Sequence, residues 1–183
     1  MIVRSVSNNV RLRASSVSAN LRWKPPPIAR RAVHDCAPLQ VLLVQPVAAG
    51  PLDDALSAFR RQDYETALRL WRPLAEHGDV RAQGMLGVMY FEGLGVPKDY
   101  AQAAKWHRLA ADQGNAVAQT NLGSLYINGE GVPRDYVLGY MWSNLGASGG
   151  YDLGARNREL VATRMTPAAI EEAQRLSREW KPK

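Results

Sequence analysis

Residues able to carry chemistry are scarce in this chain. One cysteine, Cys36, stands among 183 residues, so no disulfide framework can form within the chain. The three histidines, His34, His77 and His107, show no ligand spacing, which excludes the common zinc patterns. His77 is read as meeting the negative end of a helix dipole and His107 as facing outward from mid-helix. No metal and no cofactor are expected. No lysine stands three residues after a serine, and no serine nucleophile element is read in the chain. The apolar run at 39–49 has only about half the length a membrane-spanning helix needs, so no membrane span is expected.

Acids are missing from one end. Arg4, Arg11, Arg13, Arg22, Lys24, Arg30 and Arg31 all precede the first acid, Asp35, which leaves a net −1 for the rest of a chain whose formal charge is +6. The isoelectric point of about 9.7 is therefore a property of the tail. Nucleic-acid binding by the remainder has no support.

Repetition is what the chain has in quantity. Gly-Leu-Gly-Val-Pro-Lys-Asp-Tyr at 93–100 returns as Gly-Glu-Gly-Val-Pro-Arg-Asp-Tyr at 129–136, an offset of 36 residues. Tyr64, Tyr100 and Tyr136 keep that offset, as do Gly78, Gly114 and Gly150. A fixed period of this size marks an array of one stacked supersecondary unit. Within it Ala82, Leu86 and Tyr90, like Ala118, Leu122 and Tyr126, fall four apart, the spacing of a helix face. A second helical stretch starts after each glycine loop at Tyr100 and Tyr136. Asp99 and Asp135 stand where an N-cap is wanted, Asp99 with Gln102 as a partial capping box. Gly78, Gly114 and the Gly149–Gly150 pair close the second helices. Pro73 is expected to kink or bend the helix that holds it. Thr166–Pro167 opens a last helix.

The strings Ala-Gln-Gly-Met-Leu-Gly-Val-Met-Tyr at 82–90 and Ala-Gln-Thr-Asn-Leu-Gly-Ser-Leu-Tyr at 118–126, each followed by the Gly-x-Gly-Val-Pro-x-Asp-Tyr loop, resemble the Sel1-like repeat family, relatives of the tetratricopeptide repeats. The resemblance implies an all-α fold, a right-handed α-α solenoid of about four helical hairpins that scaffolds protein–protein contacts, often in bacterial signalling, envelope or host-interaction settings. It implies no shared reaction. Cysteine-rich members staple each repeat, which this chain cannot do. Gly154 and Arg158 depart from the pattern, and no third glycine loop appears.

The domain reading is a disordered segment at 1–49 followed by the solenoid at 50–183, with units at about 64–99, 100–135 and 136–165 and a capping helix at 166–181. The run at 39–49, with Arg30–Arg31 before it and Gly50 after, resembles a secretory signal peptide cleaved near Ala49/Gly50. A periplasmic or secreted protein is expected, with a cytoplasmic one as the alternative and a transit peptide behind them. Val-His-Asp-Cys at 33–36 lacks the small residues of a lipid-anchoring site.

The loop residues Gly93, Gly95, Pro97 and Asp99, with Gly129, Gly131, Pro133 and Asp135, invite a phosphate-binding reading. However, Asp99 and Asp135 would repel an anion, and turn geometry accounts for the glycines. The functional expectation is a non-enzymatic module, monomeric, that binds a protein or peptide on the concave face lined by the first helix of each hairpin. Arg81, Gln83, Val88, Phe91, Gln119, Thr120, Ser124 and Ile127 lie off the apolar stripe there and form the expected contact set. Replacing Gln83 and Gln119 with Glu is then expected to weaken the partner without unfolding the protein. The alternatives are an envelope hydrolase or peptidoglycan- or β-lactam-interacting protein, and a glycan or peptide binder with Phe91 or Trp71 as a platform. For Trp71 a core position is the stronger reading.

Overall fold

Helices start in the structure, a computed structural model that describes residues 50–183, at the positions the capping residues mark. Asp63, Asp79, Asn115, Asp135 and Thr166 each accept a hydrogen bond at the side-chain oxygen from the amide three residues on, satisfying a donor the helix leaves free. Asp99 Oδ1 takes two, from Ala101 and Gln102. The capping box is only half formed, because the Asp99 amide donates to Tyr90 O in the preceding helix instead of to Gln102. The expected disorder of 1–49, the export run at 39–49 and Cys36 lie outside the described residues.

The described residues form helices α1 (Pro51–Arg60), α2 (Tyr64–Glu76), α3 (Val80–Glu92), α4 (Tyr100–Asp112), α5 (Ala116–Asn128), α6 (Tyr136–Ser148), α7 (Asp152–Ala162) and α8 (Pro167–Glu179). Helix α2 runs through Pro73 without a break. Three helices end alike. After α2 the Asp79 amide reaches back to Leu74 O and the Gly78 amide to Ala75 O; the same pair of bonds recurs at 114–115 and 150–151. This is the Schellman closure, and it requires Gly78, Gly114 and Gly150 at positive φ.

Each helix from α1 to α6 packs on the next, so hairpins α1–α2, α3–α4 and α5–α6 stack in order. Small residues make the stacking close. The first core cluster holds Ala55, Ala58, Ala67, Ala75 and Ala82 around Trp71, Leu86 and Met89. The second joins Ala110, Ala111 and Ala118 to Leu122, Met141 and Trp142. The fourth pair differs from the expected hairpin: both α7 and α8 pack on α6. Gly154 explains how α7 gets there, since a Cβ at that position would lie 2.6 Å from Ser143 O.

The glycine loops serve this stacking. Gly93, Gly95, Gly129 and Gly131 all have positive φ. A Cβ on Gly95 would meet the Tyr64 backbone at 2.9 Å, and one on Gly131 would strike the Tyr100 backbone. Each loop thus lies against the start of the preceding hairpin's second helix, a structural task that needs no ligand.

Candidate functional site

Helix α3 carries a row of residues that the stacking does not consume. Arg81, Gly84, Met85, Val88, Phe91 and Glu92 follow one another at helical spacing, and none of them is fully buried. Val117, Asn121 and Ser124 form the matching row on α5, while Leu52 and Leu56 extend the surface onto α1. Two hollows result. The first, about 310 Å³, is lined by Leu52, Leu56, Met85 and Val117, with Arg81 and Asp53 also at its wall. The second, about 270 Å³, is lined by Val88, Phe91, Glu92, His107, Asn121 and Ser124. Val117 keeps 44% of its surface exposed, a cost in water that a partner could remove.

The expected contact set divides in half. Arg81 lines the first hollow, and Val88, Phe91 and Ser124 line the second. The other four are buried and are corrected here. Gln83 Nε2 donates to Ala75 O at 3.1 Å, and its Oε1 accepts from Gln113 Nε2 at 2.8 Å. Gln119 Nε2 donates to Ala111 O at 3.2 Å. These amides tie the first helix of one hairpin to the end of the second helix before it. The Thr120 hydroxyl donates to Ala116 O, and Ile127 belongs to the last core cluster. An amide off the apolar stripe reaches backbone one helix away, and a hydroxyl reaches the carbonyl four residues back in its own helix, so polarity did not mean exposure.

Trp71 is buried beside Phe59, ring centroids 5.4 Å apart; it borders the first hollow but offers no open face as a platform. His107 is a larger correction. It is 1% exposed and turned onto Gly87, where a Cβ would sit 2.5 Å from its Nδ1. That nitrogen has no hydrogen-bond partner. Burial pushes the imidazole pKa down to about 4, so the ring is neutral near pH 7.

The residues that sequence reasoning missed are Leu52, Leu56, Met85 and Val117. Met85 sits in the apolar stripe and reads as core, and only the position of α1 shows that a hollow lies beside it. The reading of no serine nucleophile element needs a correction too, because Gly146, Ser148 and Gly150 spell Gly-x-Ser-x-Gly. Its setting is the end of α6, where Ser148 is the last helical residue and its hydroxyl donates to Asn144 O at 2.9 Å. A nucleophile elbow needs a strand-to-helix turn, which is not what stands here. Among the described residues no three His, Cys, Asp or Glu side chains gather as metal ligands, and no helix is long and apolar enough to cross a membrane.

Comparison with known proteins agrees with this architecture. The family described as Sel1 repeat matches residues 57–79, 80–115 and 116–151. A protective antigen present in uropathogenic Escherichia coli strains, with an SLR fold, is 33% identical at a TM-score of 0.68 over 71% of this chain. A Sel1 repeat protein from Oxalobacter formigenes is 25% identical at a TM-score of 0.57 over 70% of it. The chain spans 29% of the first and 55% of the second. No match is found among curated proteins.

Proposed function

The chain belongs to the Sel1 repeat family, and from that premise we propose that it binds a partner protein or peptide along the concave face formed by α1, α3 and α5. Sel1 repeat proteins generally serve as protein–protein interaction scaffolds. One observation carries the finer reading: Leu52, Leu56, Met85 and Val117, from three successive first helices, converge on one open hollow. Stacked helices hold that surface in place before binding, which lowers the ordering cost. The hollows are small, so moderate affinity is expected. The module acts as a monomer and without catalysis.

The test is selection of random twelve-residue peptides on the full-length protein. Selected peptides should shift amide resonances of α1, α3 and α5, and Met85→Glu should abolish binding while the helical circular dichroism stays intact. Binders that map to α4, α6 or α8 would remove this reading.

We extend the proposal to location. The apolar run at 39–49 supports export with cleavage near Ala49/Gly50, in the periplasm or beyond. The intact mass of the protein from its own cell checks this: a chain starting at Gly50 agrees, and one retaining Met1 rejects it.

A further inference from the structure

The second hollow differs in chemistry from the first, and the difference selects a partner. Resting on the groove reading above, we infer that the face takes a peptide carrying an apolar side chain and, three residues along, a lysine or arginine. The apolar residue enters the hollow of Leu52, Leu56, Met85 and Val117. The cation enters the hollow of Phe91, Glu92, His107 and Asn121.

Four observations support the cationic site. Glu92 is exposed and forms no salt bridge among the described residues, so its charge is free to pair. Phe91 presents a ring, and such rings attract cations; Lys98 already holds its ammonium 5.9 Å from that centroid. His107 borders the hollow as a neutral imidazole, its Nδ1 turned onto Gly87, and adds no charge against an incoming cation. Asn121 borders the same hollow with an uncharged polar amide. The exception is Lys98 itself, a positive charge nearby that limits the gain.

The spacing follows from the helix. From the middle of the first hollow, near residue 83, to the middle of the second, near residue 90, α3 rises about 10 Å at 1.5 Å per residue. A peptide in the polyproline II conformation covers about 9 Å in three residues and, turning once in three, brings both side chains to the same face.

Two fluorescein-labelled probes test this on the full-length chain by fluorescence anisotropy: acetylated, amidated Gly-Gly-Leu-Ala-Ala-Lys-Gly-Gly, and the same peptide with Glu for Lys. The lysine probe should bind about fivefold tighter, the size expected of one exposed ion pair plus one cation–π contact. The preference should fall to about twofold in Glu92→Gln, where only the ring contact is left, and reverse in Glu92→Lys; Glu92 is exposed, so both variants fold. Equal affinity for the two probes overturns the inference, as does a preference undiminished in Glu92→Gln. If Met85→Glu still abolishes binding in those cases, the groove reading stands alone. No binding of either probe overturns the inference too, and the groove reading is then decided by the peptide selection and its resonance map.

Discussion

His107 packs on Gly87 at a repeat position that the next unit fills with Ser143 against Gly123. The imidazole gives the protein a pH response with a definite sign. Its folded pKa, about 4, lies below the unfolded value near 6.5. Between those values the unfolded chain binds the proton and the folded one does not, so stability is full above pH 6.5 and declines as pH falls toward 4. The loss from this group is roughly 3 kcal/mol across the window. Asp63 and Glu172, held below their usual values of 3.8 and 4.5 chiefly by Thr66 and Arg175, respond at the acid edge of that window and below it. Thermal unfolding from pH 7 to 4.5 should therefore show a falling Tm in the native chain and a nearly flat one in His107→Ser. Equal slopes would show that the ring is protonated in the fold. The buried amides give a second prediction. Gln83→Glu with Gln119→Glu would place carboxylates against Ala75 O and Ala111 O, at a cost on the order of 2–5 kcal/mol per site. The double variant should lose its cooperative unfolding transition, the opposite of what its sequence positions suggested. The sequence marks these residues as polar and no more; their burial depends on how the preceding helix folds back, bringing carbonyls eight residues away within reach.

At the scale of elements, caps and closures were legible because each is settled within about six residues. Asp79, Asp99, Asn115 and Asp135 took their cap positions, and Gly78, Gly114 and Gly150 took positive φ. The placement of α8 was not legible. Its start at Thr166–Pro167 is local chemistry, but its partner is α6, chosen by long-range fit once the 36-residue register has lapsed. Trp180 sets that fit. It meets Trp142 edge to face, centroids 6.1 Å apart, and the Lys183 amide and ammonium both reach Asp112 at 2.8 Å. The exposed ion pair adds little, so the aromatic contact should dominate. Trp180→Ala is expected to cost about 2 kcal/mol from lost burial and ring contact, and Lys183→Ala less than about 1 kcal/mol. Urea titration of the two variants checks the order, and a larger loss in Lys183→Ala would reassign the anchor to Asp112.

From α1 to α7 each helix touches mainly its sequence neighbours, and α8 packs on α6, so the stability of the described unit is close to a sum of local and near-neighbour terms. The ends should then open before the middle. Helix α1 is the weakest end. It has ten residues, no side-chain cap at Gly50, and a following turn that holds Gln62 at φ 64°, a conformation costly for a residue with a Cβ. Yet α1 supplies Leu52 and Leu56 to the proposed binding hollow. Binding and end-opening are therefore coupled: a ligand that needs α1 in place must hold it there. At a ligand concentration one hundred times Kd, the closed form gains about 2.7 kcal/mol, which slows exchange through the opening roughly a hundredfold. Hydrogen exchange of the free protein should show α1 amides fastest among the helices and α5–α6 amides slowest. A saturating groove-binding peptide should slow α1 by about that factor and leave α8 unchanged. Equal slowing of α1 and α8 would mean that the array opens as one cooperative unit, and α1 would then lose its place as the element that binding holds closed.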